Sequence, residues 1–206
     1  MEHSPILQNK LIRNFASTIN SLSFSVLGLL YMLTGFEFIF RLALYIPLTY
    51  YTWDTHYIII NKKYNERPYI LHHFMSIIIT NFALNKCSGF NYIFMGYLLC
   101  EISNFSIYTV YHLLNLPKKD SIDKLEMLTL KLGQIIWYTT FRLFLFGLLI
   151  FFNLNKINFL LKINCLTIFV FGCLWVSKQV LNFKRSINEY IKDNGSEGEL
   201  LSIPIE

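Results

Sequence analysis

Two adjacent histidines stand in the run Arg67-Pro-Tyr-Ile-Leu-His72-His73-Phe-Met-Ser76, and an acidic motif, Glu101-Ile-Ser103-Asn104, lies in a later apolar run. Asp54 closes the aromatic string Tyr50-Tyr-Thr-Trp-Asp54, and Arg142 follows Phe141 inside a third run. Imidazole moves protons near neutral pH, and a neighbouring carboxylate fixes its tautomer. One of His72 and His73 therefore suits a general base or a transient acyl acceptor, with Asp54 or Glu101 orienting it. An ionisable group at bilayer depth costs roughly 2.5–3.5 kcal/mol on insertion scales, so it tends to be paired, cavity-facing and functional. One arginine offsets one carboxylate. Arg142 is expected to pair with Asp54 or Glu101, leaving the other carboxylate to be protonated or offset by a histidine.

The elements that must position these groups read as membrane spans. Residues 1–14 form a polar tail. Six apolar runs follow, at about 15–34, 38–60, 69–85, 90–114, 132–152 and 159–183, and a polar tail covers 184–206. A span needs about 20 apolar residues, range 17–25, and all six runs fit. Lys10 and Arg13 precede the first run without a small-residue cleavage site, so that run is expected to be retained. Lys and Arg choose the orientation. Lys10, Arg13, Lys62, Lys63, Arg67, Lys118, Lys119, Lys124, Lys184, Arg185 and Lys192 share one side, against Arg41, Lys86, Lys156 and Lys162 on the other. Both termini are expected in the cytosol.

Polar residues recur at helical spacing inside these runs. Span four carries Tyr97, Glu101, Asn104, Tyr108 and Tyr111; span two carries Tyr50, Asp54, Tyr57 and Asn61; span five carries Lys131, Gln134, Tyr138 and Arg142. Steps of three and four put each set on one helical face. His73, Ser76 and Thr80 make a stripe on span three, from which His72 diverges by about 100°. For a single Ser76, Asn104 or Gln134, an interhelical hydrogen bond is an equal alternative. Lys131 and His112 suit a snorkelling position. His3 lies in a tail and His56 near a span end; neither is given a role. Counting 1.5 Å per residue from the cytosolic side puts the histidines roughly 5 Å deep and Asp54 roughly 10 Å deep. His72, His73, Asp54 and Glu101 are expected on one cavity, open to the cytosol and lined by Tyr50, Ser76 and Tyr108.

Composition agrees with lipid as the solvent. The 206 residues are 54% hydrophobic, 17% aromatic and 15% charged, with mean hydropathy +0.42; soluble domains carry about 25% charged residues. The length leaves no room for a sizeable soluble module. The net charge of +5 is spread over loops and tails, which argues for membrane topology and against nucleic acid as a partner. Cys87, Cys100, Cys165 and Cys173 have no C-x-x-C spacing, so neither a disulfide framework nor a thiolate metal site is indicated. A zinc hydrolase would draw ligands from His72, His73, Asp54 and an inward-folded His112. Adjacent helical histidines diverge, and zinc wants three or four well-placed ligands. A di-iron oxygenase needs more histidines than the 5 present. No metal or resident cofactor is expected.

At these residues the chain resembles the TLC-domain family, the membrane family that includes the ceramide synthases. The likeness runs from about Arg13 to Lys178. It rests on Arg13-Asn-Phe-Ala-Ser17, Tyr50-Tyr-Thr-Trp-Asp54, Leu71-His72-His73, Glu101-Ile-Ser103-Asn104 and Phe141-Arg142, five short pieces in order. Ceramide synthases carry two aspartates three residues apart in the fourth-span motif, where this chain has Glu101 and Asn104. The resemblance is therefore to a shorter, non-synthase-like member. It implies an all-α bundle of six transmembrane helices around a lipid-sized cavity, in the endoplasmic reticulum or a related endomembrane.

Two classes of function stay open. The first is acyl transfer from acyl-CoA, as co-substrate, to an amine or hydroxyl of a membrane lipid. His72, His73, Asp54 and Glu101 would be catalytic, Arg142 a charge partner, and Tyr50, Ser76, Asn104 and Tyr108 the cavity wall. Lys62, Lys63, Lys118 and Lys119 would attract the CoA phosphates, although the positive-inside rule explains them without a substrate. The second is a non-catalytic protein that binds or senses a lipid in the same cavity. Membrane lipids are the expected partners in both.

Overall fold

The computed structural model describes residues 5–61, 67–115 and 123–200. Among them there is no strand. The helices are α1 (Pro5–Thr34), α2 (Glu37–Ile60), α3 (Arg67–Leu84), α4 (Phe90–Asn115), α5 (Lys124–Tyr138), α6 (Phe146–Asn153) and α7 (Phe159–Leu200). A π-helical turn, Thr139–Leu145, joins α5 to α6 without a break, and a 3-10 turn, Leu154–Lys156, precedes α7.

Among the described residues, four stretches are long and apolar enough to cross a membrane: Lys10–Thr34, Phe90–Asn115, Lys124–Lys156 and Phe159–Asp193. The expectation was six. α2 has 24 residues, but Glu37, Arg41, Asp54 and His56 dilute its apolar content. The apolar part of α3, Tyr69–Leu84, is short. Two helix bounds also differ from the sequence reading. α1 begins at Pro5, where proline at a first turn costs no hydrogen bond and nothing before Thr34 breaks the helix. α7 continues past Phe183 to Leu200, because a polar sequence without proline keeps its helical backbone after it leaves an apolar run.

The bundle is polar inside and apolar outside. Asp54, His72, His73, Ser76, Glu101, Asn104 and Arg142 are all buried, while Leu33, Phe38, Phe151 and Phe159 point outward at 83%, 75%, 77% and 76% exposure. Large exposed apolar faces on every side fit lipid as the solvent better than water. α1 packs mainly on α4 and α2, and α2 on α3. One end of the core is an aromatic cluster in which Phe24 lies 4.7 Å from Tyr97 and Phe40 lies 5.3 Å from Phe94, ring centre to ring centre.

The connections α1–α2, α3–α4 and α6–α7 gather at that end. Lys86 donates to Glu37 at 2.5 Å, which holds the exposed Glu37 carboxyl below its ordinary range. Gly89 turns the chain into α4 with φ +80°, and a Cβ there would lie 2.7 Å from the Lys156 carbonyl oxygen. Gly35, with φ +70°, has open space around it.

These two glycines separate backbone strain from crowding. Gly35→Ala should cost about 1 kcal/mol for left-handed backbone alone. Gly89→Ala should cost at least about 2 kcal/mol more, because the contact is with backbone that cannot rotate away. Unfolding of each variant in detergent checks this; equal losses would mean that the Gly89–Lys156 approach carries no constraint.

Candidate functional site

α2, α3 and α4 each bring one polar stripe to the bundle interior. Asp54 on α2 is 2% exposed and accepts a fork from Arg13 on α1: Nε to Oδ1 at 2.6 Å and Nη2 to Oδ2 at 3.0 Å. His73 Nε2 approaches the same Oδ2 at 3.6 Å. Arg13 already balances the charge of Asp54, and the 3.6 Å approach of His73 is longer than a hydrogen bond. Two parallel N–H···O bonds also fix the carboxylate plane.

Glu101 on α4 is buried at 1% exposure. Ser21 of α1 donates to its Oε2 at 2.6 Å, and the Tyr51 hydroxyl of α2 donates to its Oε1. The Tyr51 ring stands 5.0 Å from the His73 ring and 6.0 Å from the His72 ring. It links the Glu101 site to the histidine pair. The His72 and His73 ring centres are 5.8 Å apart, and His72 meets Trp175 of α7 edge-on at 5.4 Å. Neither histidine hydrogen-bonds Glu101.

Two cavities meet at this cluster. The first is a polar vestibule of about 460 Å³. Its wall includes Tyr50, Asp54, His72, His73, Asn104 and Tyr108, with Arg13 beside Asp54 and the exposed cations Lys10 and Lys178. The second is a slot of about 30 Å³ that runs to Tyr92, Asn153 and Ile157 at the loop end of the bundle. His72, Ser76, Glu101, Asn104 and Arg142 line its inner part, and the remainder is mostly apolar apart from Tyr92, Tyr97 and Asn153. His72 and Asn104 belong to both walls. The expected single cavity is therefore two, with Tyr50 and Tyr108 in the vestibule and Ser76 in the slot. Ser76 also donates to the His72 carbonyl at 3.0 Å, a local bond within α3.

The expected pairing of Arg142 with Asp54 or Glu101 is not formed. Arg142 is fully buried, its three guanidinium nitrogens have no hydrogen-bond partner among the described residues, and its nearest described aromatic contact is Tyr138 at 6.0 Å. The reason is competition. Arg13, not Arg142, lies at the depth of Asp54, and two hydroxyls already occupy the Glu101 oxygens. Arg142 sits in the π turn, a feature frequent at functional sites. A Cβ on Gly172 would come 2.9 Å from Arg142 Cγ, so glycine there lets the arginine stem pass α7.

Lys131 of the same stripe turns inward and donates to Ser186 at 2.7 Å. His112 bonds Asn14 at 3.3 Å and stacks on Phe15 at 5.9 Å, away from His72 and His73. Among the described residues no group of three or more His, Cys, Asp or Glu is placed to hold a metal ion. Lys62, Lys63, Lys118, Lys119 and His3 lie outside the described residues, as does the side chain of Arg67.

Sequence reasoning missed Arg13 as a charge partner and Ser17 and Ser21 as donors. Ser17 bonds the Tyr50 hydroxyl. A signal was present: Arg13, Ser17, Asn20 and Ser21 follow steps of four, three and one, one face of α1.

No family model, no curated protein and no solved structure matches this chain.

The fork predicts a coupled loss. Arg13→Gln should destabilise the protein by roughly 3 kcal/mol, since it strands a buried carboxylate, whereas Lys10→Gln at the rim should cost under about 0.5 kcal/mol. Adding Asp54→Asn to Arg13→Gln should then cost less than the two single losses combined. Strict additivity in a double-mutant cycle would show that the two side chains do not support one another.

Proposed function

We propose that this chain is a six-span membrane protein of TLC type that acts on lipids by acyl transfer from acyl-CoA to an amine or hydroxyl. The observation that carries the reading is the meeting of the two cavities at His72. A cationic, polar vestibule suits the phosphates and pantetheine of a CoA ester. An apolar slot suits its acyl chain, and the thioester then falls at the histidine pair.

The chemistry balances with the groups at that junction. As the acceptor's nitrogen or oxygen bonds to the thioester carbonyl carbon, its proton passes to an imidazole nitrogen. The C–S bond breaks, and the departing thiolate takes up a proton. The products are an amide or ester and free CoA thiol. In the two-step variant an imidazole nitrogen first takes the acyl group and then yields it to the acceptor. In either case Asp54 would orient His73 by closing the 3.6 Å gap between them. General base catalysis of this kind contributes typically 10²–10⁴-fold.

Six spans with both termini cytosolic follow from the same reading. α2 and α3 need not be apolar all round, because their ionisable groups face other helices and not lipid. The loop ends tied by Glu37–Lys86 and Gly89–Lys156 would face the lumen of the endoplasmic reticulum or a related compartment. The Lys124–Asp193 contact at 2.8 Å would face the cytosol.

Two measurements test this. Cells expressing the wild-type chain should change their acylated lipids, and His72→Ala with His73→Ala should abolish the change while the protein stays folded. A lipid change that survives in the double variant would favour lipid binding without transfer. Tags at residue 3 and after Asp193 should both report the cytosolic side; a lumenal result for either would overturn the six-span orientation.

A further inference from the structure

Arg142 is the buried charge that the acyl-transfer reading does not use. The two buried carboxylates have their own partners: Asp54 is forked by Arg13, and both Glu101 oxygens accept hydroxyls. The guanidinium is 0% exposed, has no oxygen or nitrogen partner among the described residues, sits beside the Cys100 thiol, and lines the slot. Five N–H donors in a planar fork match a carboxylate in shape and charge. Beyond Arg142 the wall is Ile93, Phe146, Leu149, Ile150 and Ile168, with nothing charged. The slot thus has a cationic head and an apolar body.

We propose that the slot is a binding site for a free long-chain fatty acid, its carboxylate forked by Arg142 and its chain directed toward Ile157. The polarity pattern decides between lipid classes: one cationic head and one apolar wall match a single carboxylate on a single chain. The slot, only about 30 Å³, must widen by movement of side chains such as Leu149 and Ile150 to admit it. Glu101 also lines the slot; the neutral hydroxyls of Ser21 and Tyr51 hold its oxygens but leave its charge, so the Arg142 fork has to outweigh that repulsion. The Tyr97 hydroxyl, buried and without a partner among the described residues, adds a donor on the same wall. This inference does not depend on acyl transfer: it predicts binding of the free acid whether or not the histidines catalyse.

The test is competition on the purified full chain in an uncharged detergent, with radiolabelled oleate as probe. Unlabelled oleate should compete at least about tenfold better than methyl oleate, as expected when a charge-assisted fork is lost. Equal competition would overturn the proposal, since the chain alone would then be read. Oleoyl-CoA competing while oleate does not would overturn it too, assigning the slot to thioesters. Arg142→Gln should abolish the preference and Arg142→Lys should keep part of it; a folded Arg142→Gln protein that still prefers oleate would place the reading charge elsewhere, at Arg13 or Lys10. Cys100 and Cys165 line the slot and report the position in a chain that keeps Arg142. With Cys87→Ser and Cys173→Ser, oleate should slow their alkylation by N-ethylmaleimide at least about tenfold more than methyl oleate does. Equal protection would exclude the slot as the site even if Arg142→Gln does not fold.

Discussion

A charge inside a bundle surrounded by lipid must be met by another group of the bundle, and the fork between Arg13 and Asp54 is where this chain meets that demand most directly. It holds α1 against α2 at a fixed depth. With the depth set, Ser17 reaches Tyr50 and Ser21 reaches Glu101 from the same helix face. The hydroxyl of Tyr51 can then serve Glu101 from the other side while its ring packs on the histidines. Moving α1 by one turn, about 5.4 Å, would break all of these contacts at once. The polar interior is therefore one connected assembly whose members share a register.

That register also divides the interior into two environments. On the vestibule side, cations and hydroxyls surround His73 and Asp54. On the slot side, aliphatic and aromatic side chains surround Arg142. His72 stands at the partition, held between Tyr51 and Trp175. A bifunctional molecule with a polar end and an apolar end can occupy both environments only with its junction near His72. Under the proposed acyl transfer, that junction is where the thioester would lie.

The helical class and the apolar runs were legible because hydrophobic length is a strong signal. His72, His73, Asp54 and Glu101 were legible because ionisable groups are rare at bilayer depth. Three things were not. Arg13 precedes its apolar run and counts there as a topology signal, although the helix carries it inward. Ser17 and Ser21 looked like weaknesses of a span, yet they are its contact face toward α2 and α4. The lack of a partner for Arg142 could not be foreseen, because pairing arithmetic counts charges and ignores the hydroxyls that satisfied Glu101 first. The extents of α1 and α7 differed because a helix, once started, does not stop where hydropathy falls.

α7 is the longest element, 42 residues from Phe159 to Leu200, or about 63 Å at 1.5 Å per residue. Hydrocarbon accounts for about 30 Å of any membrane crossing. The helix is thus a mast longer than any such crossing, stayed by Lys131 at Ser186 and by Lys124 at Asp193. A mast without a joint transmits torque. Sideways load on its outer half would arrive at Trp175 as tilt, and Trp175 is the side chain that bears on His72.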